Sequence, residues 1–520
     1  IGLMLNNRSF APNSKLNSMP QRRTLLLLVS VLVSAFAIGL ATIYQPFLGL
    51  AIVLVLLLGL GVAIKPDIAS LAVFFILYTN AAAVAVRFHG VPSIVGALFL
   101  TLLFIPLGYY LILKRQPFVF TPIAPLLVVY LLIQMAGVIF SSENMDLAFP
   151  NLITYITEGM LLFLLITNVV RTPAMLRQVI WVLLAAGVFM GSLSLFQYVT
   201  NTLDNNYGGF AQNEEQTVVD ATAAIDDVPA LVRQAGPIGE KNRYSQIMLM
   251  LVPLGMFRFW GERSKVLKVA AAGATVFCLI GSLLTFSRGG IVGLILMLLI
   301  MAVLRYIKLR DILLVIAAMV LVVVMFPQNL ERLSSLEALT AIFDSDTTAG
   351  IKQTDGAVQG RATEMIAAGL VFIDHPLVGV GPGMFPYYVE QYARGLGIRL
   401  LTTNREAHSL YLGTAAEVGG LGLLCFLGMV GISMVYLARG HKRWQKSRPD
   451  IANLNASFMF VLVVYMTTGL FLHMSYERYF WSMLALANVA IYLSLHATEV
   501  QVTESTAAGG ALPAAPVHAG

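Results

Sequence analysis

The residues best suited to chemistry fall in a few short strings that interrupt an otherwise apolar sequence. The first is Arg405-Glu406-Ala407-His408-Ser409-Leu410-Tyr411-Leu412, followed by Glu417-Val418-Gly419-Gly420-Leu421-Gly422. An imidazole titrates near neutral pH, which suits a general base; a boundary histidine can equally be a satisfied interfacial residue. Helical spacing puts Leu412 one turn from His408 and Glu417 more than two turns away, so His408 and Glu417 need not touch. The second string, Thr285-Phe286-Ser287-Arg288-Gly289-Gly290, separates two apolar runs so tightly that Arg288 falls in a very short turn. A guanidinium there can grip phosphate with two hydrogen bonds, or it can snorkel toward headgroups. The neighbouring glycines allow backbone to approach closely.

Gly360-Arg361 opens a third region, a helix running toward Asp374-His375-Pro376-Leu377 and then Gly379-Val380-Gly381-Pro382-Gly383-Met384-Phe385. Such a turn can nest its N–H groups around an anion or be a plain loop-to-helix junction. It is neither a P-loop, lacking Gly-Lys-Ser/Thr, nor a dinucleotide fingerprint, lacking a preceding strand. Gly236-Pro237-Ile238-Gly239-Glu240-Lys241-Asn242-Arg243 is weaker and reads as substrate contact or interfacial anchor, while Tyr476-Glu477-Arg478-Tyr479 reads as an aromatic belt with charges. No His/Cys/Asp spacing for a metal occurs, so no cofactor is expected.

The elements that must hold these strings are membrane helices. Of 520 residues, 58% are hydrophobic and 12% charged, with mean hydropathy +0.80. That is too much apolar surface for a water-soluble enzyme. The two cysteines lie in apolar runs and make no disulfide framework. The reading is an all-α polytopic membrane protein of about fourteen transmembrane helices (range roughly 12–14). The spans are 24–44, 46–64, 67–86, 91–113, 120–140, 150–170, 175–199, 244–260, 265–285, 289–305, 311–327, 408–438, 454–474 and 479–496. The 408–438 run exceeds one crossing and is expected to begin as a broken or interfacial helix. The first run reads as a retained span, having no small-residue cleavage site.

Lys and Arg set the orientation. With residues 1–23 cytoplasmic, the inside segments collect 21 of the 33 basic residues but only 6 of the 27 acidic ones. The chain then divides into a first bundle (24–199), a periplasmic loop (200–243), helices around the Arg288 turn (244–327), a large periplasmic loop (328–407), C-terminal helices (408–496) and a disordered cytoplasmic tail (497–520). Short helices are expected near 330–342 and 361–373. The spans are nearly free of charge, with Glu158 and Glu417 the exceptions, which speaks against a transporter.

Together the motifs at 285–290, 375–385 and 407–422 resemble the O-antigen ligase and polymerase superfamily, over a core of about 236–440. The resemblance implies a GT-C-like fold and an active site facing the periplasm of the bacterial inner membrane. The donor would be a glycan on undecaprenyl pyrophosphate. The acceptor would be lipid A–core, a growing glycan or a protein hydroxyl; membrane lipids are partners and nucleic acid is not. Arg288 and Arg361 would neutralise the departing pyrophosphate, and His408 would activate the acceptor hydroxyl, inverting the anomeric carbon without a metal. Ser287, Lys241, Asn242, Arg243, Arg405, Tyr411, Glu417, Gly381 and Gly383 stand as candidate substrate contacts. Three features depart from the family pattern: Ser409 stands where Asn is more usual, fourteen spans exceed the usual twelve or so, and the early loop from 200 to 235 matches no family motif. The competing reading is a lipid-linked oligosaccharide flippase or other transporter, which would show repeat halves and intramembrane charges.

Overall fold

The computed structural model describes residues 59, 61–62, 64–140, 145–215, 232–307, 310, 356–394, 396 and 405–498. The chain divides into two compact units, Ile1–Ala69 and Ser70–Gly520. Most of the first lies outside the described residues, as do the expected spans 24–44 and 311–327 and the expected helix at 330–342. The second carries the helical bundle.

In chain order the helices are α1 (Asp67–Tyr78), α2 (Ala81–His89), helical turns over Ser93–Leu113, α3 (Ala124–Phe140), α4 (Met145–Val169) and α5 (Pro173–Val199). After the strands β1 (Gln212–Glu215) and β2 (Val232–Gly236) come α6 (Lys241–Gly261), α7 (Lys265–Leu283) and α8 (Arg288–Val303). Then follow α9 (Gly356–Asp374), α10 (Phe385–Arg394), α11 (Leu410–Trp444), α12 (Pro449–Thr468) and α13 (Glu477–Leu495). Helices dominate because a backbone in hydrocarbon must satisfy its own N–H and C=O groups. Among the described residues, five helices are long and apolar enough to cross a membrane, or six if the bent pair α1–α2 is one span. Shorter apolar helices cover Phe99–Leu113, α3 and α8.

Three expected spans take a different form. Residues 67–86 are not one rod: α1 and α2 meet at 59°. The break is at Asn80, which takes the left-handed conformation (φ 56°) that Asn tolerates better than most residues. The 91–113 run changes winding from α to 3-10, back to α and then to π. The 408–438 run is a 35-residue helix interrupted at Gly419 (φ 68°, ψ −174°), so the expectation of a broken helix holds and its end extends further. The segment after Val199 also adds an antiparallel ribbon, β1 on β2, to an otherwise helical architecture.

The core forms around α12 and α13, whose residues are almost all buried. α6 and α11 pack on α12, α7 packs on α6 and α5, and α4 and α11 pack on α13. At one end of this bundle lie the starts of α6, α8, α11 and α13 and the end of α12. Hydrogen bonds Ser287 Oγ–Asn242 Oδ1 (2.9 Å) and Leu410 N–Gly469 O (2.8 Å) join them. Arg177–Asp450, His441–Ala452 and Trp444–Ser494 contacts mark the opposite end, where the Lys- and Arg-rich connections gather.

Candidate functional site

Four helices enter the first end, and three carry polar side-chain caps there. Glu240 accepts from the N–H groups of Asn242 and Arg243, Ser287 from Gly290, and Ser409 from Leu412. Each cap satisfies N–H groups that a helix start leaves unpaired. The caps therefore fix where Arg243, Arg288 and His408 leave the backbone, all within three residues of a helix start.

The Arg288 turn is built from both sides. Thr285 Oγ donates to Ser282 O (2.6 Å) and accepts from Ser287 N (3.2 Å), and Phe286 takes a left-handed φ of 50°. Buried Arg233 of β2 donates to the carbonyls of Thr285 (2.8 Å) and Phe286 (3.0 Å). Arg233 is a site-forming residue that the sequence did not single out. Side chains at Gly290 and Gly293 would collide with Ser245 and Thr468, so these glycines let α8 lie directly on α6 and α12.

His408 does not begin α11. It sits just before the cap, at φ 46°, a conformation non-glycine residues adopt sparingly and mostly where function requires it. Its Nε2 is 3.5 Å from Glu364 Oε2 and its Nδ1 has no hydrogen-bond partner among the described residues. Glu364 of α9, its side chain 1% exposed, also accepts from Arg405 Nη1 at 3.2 Å. Arg361 lies one turn earlier on that helix, and the spacing places it on the Glu364 face. Burial, then the guanidiniums of Arg361, Arg405 and Arg243, push His408 down to about 4, so its imidazole is neutral at neutral pH. Nothing in the sequence marked Glu364: it is one acidic residue in a helix 44 positions from the histidine.

Arg243 is buried and held from several directions, donating to Gln246 Oε1 (2.6 Å), Ser475 Oγ (2.8 Å) and the His473 carbonyl. The His473 ring stands 5.8 Å from the His408 ring, centroid to centroid. His473 is pushed well below its ordinary value by burial and then by Arg243 and His408. Lys241 pairs with Glu214 of β1 at 2.7 Å; burial and Arg233 lower its proton affinity against that pairing.

The structure thus brings Arg243, Arg361 and Arg405 to His408. Arg288 reaches the same end through Ser287–Asn242 and through the packing of Gly289 on Phe471. Tyr411 has a structural partner: its hydroxyl donates to Met466 O at 2.8 Å, tying α11 to α12.

The glycine string has a different task from the ligand nest the sequence allowed. The break at Gly419 exposes backbone groups on both sides, and residues 376–381 satisfy them. Val380 N and Gly381 N donate to the carbonyls of Ala416 (3.0 Å) and Glu417 (2.9 Å). Gly420 N donates to Pro376 O (2.7 Å) and Leu421 N to Leu377 O (3.3 Å). The Gly383 and Phe385 N–H groups bond the Glu417 carboxylate. The group in the nest is therefore the protein's own Glu417 carboxyl, and the Gly381 N–H is committed to that residue's carbonyl.

The belt reading of 476–479 also changes. Arg478 turns inward to Glu158 (3.1 Å) and Asn80 Oδ1 (2.6 Å), pairing the one charge the sequence placed inside the early spans. Glu477 accepts from Trp481 Nε1 at 3.1 Å.

Residues 273–427 match the O-antigen ligase family. The resemblance read from the motifs is thereby supported over a stretch holding Arg288, Arg361, Glu364 and His408. No curated protein matches the chain.

Proposed function

We propose that the chain is a membrane glycosyltransferase that moves a glycan from a polyprenyl pyrophosphate, undecaprenyl pyrophosphate in bacteria, to an acceptor hydroxyl. The observation that carries this reading is a neutral imidazole, paired with a buried carboxylate, among three arginines at one end of an apolar bundle. Displacement at an anomeric carbon needs two things. The departing diphosphate needs positive charge, and the attacking hydroxyl must lose its proton. In this reading Arg243, Arg361 and Arg405 supply charge beside His408, with Arg288 at the start of α8 as a further diphosphate ligand. His408 Nδ1 takes the acceptor proton, while Nε2–H is held toward Glu364. The oxygen attacks the anomeric carbon, the carbon–phosphate-oxygen bond breaks, and the polyprenyl pyrophosphate departs with its electron pair. One displacement inverts the carbon, and no metal takes part.

The charge distribution supports a periplasmic site. The end opposite His408 carries Arg177, Arg258, Arg263 and Arg448 around a cleft, as a cytoplasmic face would. Surface polysaccharide ligation or polymerisation fits this placement, with lipid A–core, a growing glycan or a protein as acceptor.

The test is transfer by the purified full-length chain in nanodiscs, given an undecaprenyl-pyrophosphate glycan with and without lipid A–core. His408→Ala is expected to lower kcat about 10²- to 10⁴-fold. Arg288→Ala is expected to lower it about 10²- to 10³-fold. Full activity in both variants at equal protein levels would remove the catalytic assignment.

A further inference from the structure

A cavity of about 240 Å³ opens beside His473, between α3, α4, the start of α11 and the turn that leads into α13. Four carboxylates line it: Glu158, Glu406, Glu417 and Glu477. Two neutral polar side chains, Gln134 and Thr414, are 4% and 6% exposed and line the same cavity. Neither side chain has a hydrogen-bond partner among the described residues. Buried amides and hydroxyls are ordinarily satisfied, so a polar molecule bound in the cavity would pair with these two. The carboxylates are not arranged as a cation centre: among the described residues, no three His, Cys, Asp or Glu side chains are grouped to hold a metal ion.

We infer that this cavity binds a hydroxyl-rich sugar ring, uncharged or amine-bearing, a reading that rests on the glycan transfer proposed above. Carboxylates accept hydrogen bonds from sugar hydroxyls or amines, while an amide and a hydroxyl both donate and accept. Among the described residues no Lys or Arg lines this cavity to neutralise a buried phosphate or carboxylate, so it complements the arginines beside His408: diphosphate on the basic side, uncharged sugar on the other. Position agrees with chemistry. The cavity is bounded by His473, whose ring stands edge-on to that of His408, and by Glu406, two residues before His408. A ring seated here lies on the far side of His473 from His408, whose ring centroid is 5.8 Å from that of His473.

The test uses the full-length chain in detergent and saturation-transfer NMR with glucose, glucosamine and glucuronate. Glucose and glucosamine should receive magnetisation, and glucuronate far less. The signal should fall about fivefold in Gln134→Leu and in the nearly isosteric Thr414→Val, each checked by its melting temperature. No transfer to any sugar, equal signals in all three proteins, or glucuronate the strongest would overturn the inference. Kinetics then identify the sugar's source. A raised KM for the acceptor glycan alone assigns the ring to the acceptor, and a raised donor KM assigns it to the donor. Unchanged KM for both overturns the subsite. A wild-type chain that binds these sugars but transfers none would sink the proposed transfer and leave the subsite standing.

Discussion

In the proposed reaction His408 is the base, and its protonated form is disfavoured. Burial and three guanidiniums hold it near 4, so it loses its proton-accepting role only when the pH falls through that region. The acid limb of kcat/KM against pH should therefore lie well below the ordinary histidine value of 6.5; a limb at 6.5 would show that the arginines do not act on the ring. Glu364 opposes them at 3.5 Å. In Glu364→Gln a negative charge beside the ring is lost, which moves the limb to still lower pH. In the proposed reaction Glu364 positions His408, so its loss should lower kcat about tenfold or more and leave donor KM nearly unchanged. A Glu364→Asp variant should recover part of the rate, whereas a merely structural carboxylate would change stability and leave the pH profile in place.

At the scale of elements, the decisive feature is the interruption of α11. Residues 376–381 lie in the break and exchange four backbone hydrogen bonds with it, and this docks α9 and Glu364 beside His408. Gly419 is needed twice: its φ of 68° disfavours any side chain, and a Cβ would collide with the Leu377 carbonyl. Gly419→Ala should cost about 1–3 kcal/mol or more and lower the melting temperature in detergent. Substitution at Gly428, where a Cβ meets no atom closer than 3.9 Å, should be mild by comparison. Equal melting temperatures for the two variants would show that the break is not a packing requirement.

Across the described residues, Lys- and Arg-rich connections gather at the end opposite His408, while one ion pair ties distant helices together in the interior. Arg478 links α13 to Glu158 of α4 and to Asn80 at the α1–α2 break, so three sequence-distant elements share one guanidinium. The two ionic side chains are 18% and 28% exposed, which moderates the penalty for separating them. Arg478→Gln is expected to lose about 1–3 kcal/mol, and the double variant with Glu158→Gln to recover part of it. If the losses in the melting temperature simply add, the pair is not coupled.

The helical architecture, the separation of a basic end from a site-bearing end, and the strings around Arg288, Arg361 and His408 were legible in the sequence. Apolar length and loop charge answer to the membrane itself, whatever the neighbouring helices do. Other features waited on tertiary structure. The sequence could not show that Glu364 faces His408 or that Arg233 pins the Arg288 turn. Nor could it show that the glycine string embraces Glu417 and that Arg478 turns inward. Each is a contact between segments tens to hundreds of residues apart, set by how helices cross and where they break. Local periodicity holds no record of such crossings. It tells which face of a helix is apolar, and only packing decides which side chain stands opposite.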